Sequence, residues 1–278
     1  MQCSVRLIFI NGGDKMIKNT AVIAAAQIRQ LLFSKYKYLV WVSVFLIACM
    51  SGLTYGNEFT SVVREELSGS EYIAEGYISF VAGFVLIFIS FSVGDICTGD
   101  IQDKTMYYEL TTGKTRSEIY WGRVIPAVVF SLLGSMILIL VSPVIVSMKH
   151  GWGTCFELSD ILFRYTVMSA AIIRIICTMI FIAFILKKPM FTALVGVGEY
   201  LTTNYIHSDS DLLGVTSMHK ILTSYERWDV YGLDEDWHMI LDSNVTMSDL
   251  MFTVIISLTV AAFMLYLGHL YFRNDDLN

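Results

Sequence analysis

Apolar residues fall into long runs separated by polar blocks, at 38–55, 77–93, 124–148, 161–186, 191–206 and 250–272. A helix needs about 20 mostly apolar residues to cross the roughly 30 Å hydrocarbon core of a bilayer. The pattern therefore predicts an all-α integral membrane protein with six transmembrane helices. The fifth run is the shortest and carries Gly196, Gly198 and Glu199. Pro126, Pro143 and Pro189 fall near span ends or in a connection, where a missing N–H costs least.

Composition agrees. Hydrophobic residues make up 55% of the 278 and charged residues 16%, against roughly 45–50% and about 25% in soluble domains. Mean hydropathy is +0.60. Charge this sparse cannot cover a soluble protein of this length. A net charge of −6, with no basic stripe among aromatics, argues against nucleic-acid binding. The five cysteines are scattered without a CxxC pair, so they read as small apolar fillers. The 14 methionines are scattered too, which suits core filling.

Lys and Arg set the orientation of a membrane protein. Eleven lie on one side: Lys18, Arg29, Lys35, Lys37, Lys104, Lys114, Arg116, Arg123, Lys187, Lys188 and Arg273. The other side has four, Arg64, Lys149, Lys220 and Arg227. Both termini are expected in the cytoplasm. The opposite segments are acidic, with five Glu and one Arg over 56–76, and nine acids and two bases over 207–249. Such segments either stay solvated or attract a cationic substrate.

Residues 1–15 resemble neither a signal peptide nor a span. Gly12-Gly13-Asp14-Lys15-Met16 can be encoded by a bacterial ribosome-binding sequence placed just before an ATG. Translation is expected to start at Met16 in a bacterium, with 1–15 a mis-called, unstructured leader. Residues 16–37 are expected to form a cytoplasmic arm ahead of the six-span membrane domain over 38–278. Asn19 or Thr20 can cap a helix there. Ala21, Ala24, Ala25, Ile28, Leu31 and Leu32 recur at helical spacing on one face. The arm reads either as an amphipathic helix in the membrane interface or as the start of span one.

Segment 94–123, GDICTGDIQDKTMYYELTTGKTRSEIYWGR, is expected on the cytoplasmic side, and long ordered connections are usually functional. Interleaved polar and aromatic residues over 103–110 predict a short helix across the membrane face. Residues 114–123 read as an amphipathic lead into span three, with Arg116 and Arg123 at the headgroups. Gly113-Lys114-Thr115 imitates the end of a phosphate-binding loop, but Tyr108 stands where its first glycine belongs and no strand precedes it.

The series Asp100, Lys104-Thr105, Glu109-Leu110, Thr115-Arg116, Gly122-Arg123 resembles the permease subunit of type-2 ABC exporters. The ending Tyr271-Phe272-Arg273-Asn274-Asp275-Asp276-Leu277 is similar to that family's tail. Lys104, Gly113 and Arg123 stand where the family favours Gly, Pro and Lys. The resemblance implies a six-helix permease working as a dimer, with an identical or paralogous second permease chain. A separate cytoplasmic ATPase would supply ATP and Mg, and this chain would hold no cofactor and no metal. It implies a coupling helix between spans two and three, carrying Asp103, Lys104, Tyr107, Tyr108, Glu109 and Leu110, with Arg116 beyond it. Tyr107, Tyr108, Glu109 and Arg116 are the expected ATPase contacts, since aromatics and Arg anchor interfaces. The alternative is a solvated loop with interfacial tyrosines. Cargo is open among peptides, drugs, lipids and polysaccharides, with cationic peptides suggested by the acidic outer segments.

Arg174 lies midway along the fourth run, where an unpaired charge is costly. At 1.5 Å per residue, Arg174 and Glu199 sit about 18 and 15 Å from the cytoplasmic ends of their spans. An Arg174–Glu199 ion pair is predicted, either clamping the fifth helix or gating. Beside a non-transporting membrane partner, such as a sensor or an ABC-like subunit that has lost transport, two rival functions stay open. One is a membrane enzyme with a carboxylate site at Asp95, Asp100 and Asp103, although no HExxH or GxSxG occurs. The other is a secondary transporter, for which no internal repeat is evident. The expected intact mass lacks residues 1–15; a mass that includes them would overturn the Met16 start.

Overall fold

The computed structural model describes residues 2–33, 35–55, 68–74, 77–102, 106–153, 157–205, 225–227, 239–241 and 247–274. In chain order the elements are α1 (Gln2–Phe33), α2 (Lys35–Thr54), α3 (Gly69–Ala74), α4 (Tyr77–Gln102), α5 (Met106–Thr111), α6 (Arg116–His150), α7 (Leu158–Leu186) and α8 (Pro189–Tyr205). Strands β1 (Tyr225–Arg227) and β2 (Met239–Leu241) and helix α9 (Met247–Asn274) follow. The strands pair antiparallel, with Glu226 opposite Ile240.

Among the described residues, four helical stretches are long and apolar enough to cross a membrane: Val81–Ile101, Arg116–His150, Leu158–Leu186 and Leu250–Asn274. The chain is therefore an all-α, multi-pass membrane protein. Leu39–Thr54 and Pro189–Gly198 are shorter apolar helices at the first and fifth predicted runs.

Local chemistry sets several boundaries. Thr115 caps α6: the Glu118 N–H donates to Thr115 Oγ1 at 3.3 Å, and the Thr115 N–H donates to Glu118 Oε2 at 2.7 Å, a reciprocal capping box. The helix ends at Gly151, whose φ of 86° only glycine adopts freely. Helix α7 ends at Lys187 in the left-handed region, and Pro189 opens α8 at a position where its missing N–H is harmless. Pro126 and Pro143 lie inside α6 rather than near its ends, because the helix begins earlier than the apolar run does.

Three boundaries differ from expectation. Helix α1 already runs from Gln2, so residues 2–15 are helical where an unstructured segment was expected; Gly12-Gly13 accepts helical geometry at a cost of about 1 kcal/mol each. Segment 94–123 is mostly helix, since α4 continues to Gln102 and α6 starts at Arg116. The short helix within it is α5, Met106–Thr111. The buried face of the arm is Ile23, Ala24, Gln27 and Leu31, while Ala21, Ala25 and Ile28 are exposed. The arm is turned toward α6 because Gly122 leaves a gap there: a Cβ on Gly122 would come within 2.6 Å of Ile23 Cγ2.

Helix α7 packs against α4, α6, α8 and α9, and α6 also touches α1, α2 and α3. Lipid is as apolar as these helices, so tight packing and polar contacts hold them together. On α4, Ser90 and Gly94 meet Gly196, Thr192 and Pro189 of α8 across a small-residue seam. Trp41 of α2 sits on Gly134 of α6, edge-on to Phe88 and Phe130 at 4.5 and 4.8 Å. Such pairs contribute about 0.5–1.5 kcal/mol beyond their area. At the far end of α6, the backbones of Gly69 and Ser70 donate to the carbonyls of Gly151 and Trp152 at 3.0 and 2.8 Å. There α3 closes that end of the bundle.

Gly196→Val places its side chain into Ser90 and is expected to lose about 1–3 kcal/mol. Gly198→Val, with nothing within 4 Å of its Cβ, should stay within about 0.5 kcal/mol. Unfolding midpoints of the two purified variants in detergent check this pair.

Candidate functional site

The end of the bundle where α4 finishes and α6 begins carries a buried polar cluster. At its centre is Arg123, two turns into α6, with 0% of its side chain exposed. The Nη2 group donates to Asp100 Oδ2 at 2.8 Å and lies 3.1 Å from Glu109 Oε2. Asp100 is in the last turn of α4 and Glu109 is on α5. From α1, Gln27 Nε2 donates to the same Asp100 oxygen at 2.6 Å. One turn before Arg123, Glu118 Oε1 accepts from Asn19 Nδ2 of α1 at 2.9 Å. Four helices thus meet on one guanidinium and its two carboxylates.

A charge this deep is tolerable only when paired. Asp100 and Glu109 are 16% and 24% exposed, so each keeps a water-facing edge. The side chain of Arg123 is fully buried among the helices, where its position before span three suggested contact with the headgroups. Neutralised by Asp100 and Glu109, it lies inside the bundle while α6 runs on past it toward Arg116.

Helix α5 divides its residues between two sides. Met106 is 1% exposed and plugs into the bundle. Glu109 turns to Arg123, and Leu110 packs against the core. Tyr107 and Tyr108 point away, 40% and 72% exposed. Arg116, expected at an ATPase surface, donates from Nη1 to the Arg273 carbonyl at 3.4 Å. A cation there faces the negative end of the α9 dipole. Beside it, Ser117 Oγ and His269 Nε2 are hydrogen-bonded at 3.0 Å, and the Tyr120 hydroxyl donates to the Leu265 carbonyl at 2.8 Å. These contacts pin the first turns of α6 to the last turns of α9.

Asp103 and Lys104 lie outside the described residues, as does the Glu199 side chain, and with it the predicted Arg174–Glu199 pair. Arg174 is half-buried in α7, which packs against α8. Asp95 leaves α4 on a different side from Asp100. On one helix, residues five apart diverge by about 140°, and Asp95 lines a shallow groove with Leu31, Trp41 and Phe130 instead. Cys97 and Cys177 are buried free thiols.

Gln27 and Met106 were not expected in the site, and Asn19, expected as a helix cap, lies inside α1 and donates to Glu118 instead. The signal for Gln27 was present, since it falls in register with Ala24 and Leu31 on the apolar face of α1. A polar residue in such a stripe needs a buried partner, and Asp100 is that partner.

Arg123→Met strands two carboxylates and is expected to cost about 3–5 kcal/mol. Adding Asp100→Asn and Glu109→Gln removes the stranded charges and should recover most of the loss. Thermal unfolding of the single and triple variants measures both steps.

No family model matches the chain, and no curated protein matches it.

Proposed function

We propose that the chain is the transmembrane subunit of an ATP-driven exporter of the type-2 ABC kind, with α5 as the helix that receives a separate cytoplasmic ATPase. The observation that carries this reading is the division of α5. Met106 and Glu109 hold it to the bundle, while two neighbouring tyrosines are left facing outward. A helix of six residues with aromatics on its free side is suited to filling a groove on a partner. The seating on Arg123 links it to α1, α4 and α6, so a push on α5 reaches the membrane helices.

In this reading α2 and α8 complete six spans, both termini are cytoplasmic, and α1 lies in the membrane interface of a bacterial plasma membrane. Two such permease chains, identical or paralogous, work with two ATPases that bind ATP and Mg. The acidic stretches 56–76 and 207–249 favour a cationic cargo such as a peptide. A carboxylate metal site at Asp95, Asp100 and Asp103 is the less favoured reading. Asp100 Oδ2 already accepts from both Arg123 and Gln27, and Asp95 faces another groove.

Co-purification with an ABC ATPase encoded in the same genome tests the proposal. The wild type is expected to retain it, and Tyr107→Ala/Tyr108→Ala to weaken the complex by about 2 kcal/mol or more, as central aromatic anchors do. The unfolding midpoint of the free chain should stay unchanged, because both rings are exposed. A wild type that retains no ATPase would overturn the reading.

A further inference from the structure

The Arg123 cluster is incompletely bonded in a particular way. Arg123 Nη2 makes one hydrogen bond, to Asp100. Glu109 Oε2 lies 3.1 Å from that same nitrogen, yet outside hydrogen-bonding geometry, and this buried oxygen has no hydrogen-bond partner among the described residues. Arg123 Nε and Nη1 also have none among them. Two unused buried donors and one unused buried acceptor therefore belong to residues already in contact. Buried polar atoms are nearly always satisfied, and a forked guanidinium–carboxylate pair is the strongest way to satisfy these. The arrangement is one small displacement from that pairing.

Of the described elements that carry the cluster, α5 is the shortest and the least anchored. Asp100 belongs to a long helix and is also held by Gln27. Arg123 is set in the body of α6, itself packed on α1, α2, α4 and α7. Glu109 rides on α5, six residues long, whose one fully buried anchor is Met106.

We propose that Glu109 and Arg123 form a latch with two positions: the open one of this structure, and a closed one in which a shift of α5 gives Glu109 the unused nitrogens of Arg123. Asp100 and Gln27 hold the guanidinium in place in both, so closing strands no charge. The latch rests on the reading of α5 as a docking helix for its consequence. Tyr107 and Tyr108 lie on the outer side of the same short helix, so a partner seated on them selects the closed position. By linkage, the closed latch then binds that partner more tightly by the same factor.

Spin labels test it in the full chain in lipid nanodiscs, with native cysteines replaced by alanine and nitroxides at the exposed Thr111 and Ala25. The expected distance distribution has two populations. Glu109→Ala, which removes the acceptor, should abolish one of them. Arg123→Lys, which keeps the charge and loses the fork, should abolish the same one; if it fails to fold, Glu109→Ala still decides. Adding the ATPase with a non-hydrolysable ATP analogue should enrich the population that Glu109→Ala removes. A distribution that Glu109→Ala leaves unchanged, with and without bound ATPase, overturns the latch. Binding without enrichment overturns the link between docking and closure. No binding at all overturns the docking reading, while two populations in the chain alone still uphold the latch.

Discussion

A guanidinium taken wholly out of water must find its counter-charges within the protein, and at Arg123 this demand organises one end of the molecule. Asp100 and Glu109 supply the charge, and Gln27 supplies a second hold on Asp100. Because the residues come from α1, α4, α5 and α6, the helix ends cannot drift apart without exposing the charge or stranding it. An apolar contact could not do this, since it has little direction. The ion pair fixes which face of α1 turns inward and where α5 sits. It also lets α4 and α6 extend beyond the runs that their hydropathy marks out.

Further along the helices the constraint changes. There is no water to expel, so close approach of backbones and the shape of side chains decide the packing. The seam between α4 and α8 depends on Gly94, Gly196 and Ser90, and the meeting of α2 with α6 depends on Trp41 lying over Gly134. At the opposite end α3 is bound through backbone hydrogen bonds to the turn after α6. One end is thus held by backbone pairing and the other by charge. Charge is the more adjustable of the two, since a carboxylate can change its geometry without leaving its partner.

A site built in this way joins a fixed part to a loose one. Arg116, Ser117 and Tyr120 bind the start of α6 to the end of α9, which ties the base of the cluster to a second long helix. Helix α5 has only Met106 fully buried. Exposed Tyr107 and Tyr108 stand on the loose part, over the fixed one.

By itself, the sequence determined the membrane class, the rough place of each long helix and the existence of a short helix near 103–110. Those follow from periodicity and from the length of apolar runs, which are local properties. It also placed Asp100, Glu109 and Arg123 in one segment, without indicating that they meet. That was decided by tertiary structure, as were the inward turn of Gln27, the hydrogen bond of Arg116 to the end of α9 and the different directions of Asp95 and Asp100. Each depends on which helix faces which, and at which rotation about its axis. The cost of a buried charge is settled only when all of its partners, distant in sequence, are in place.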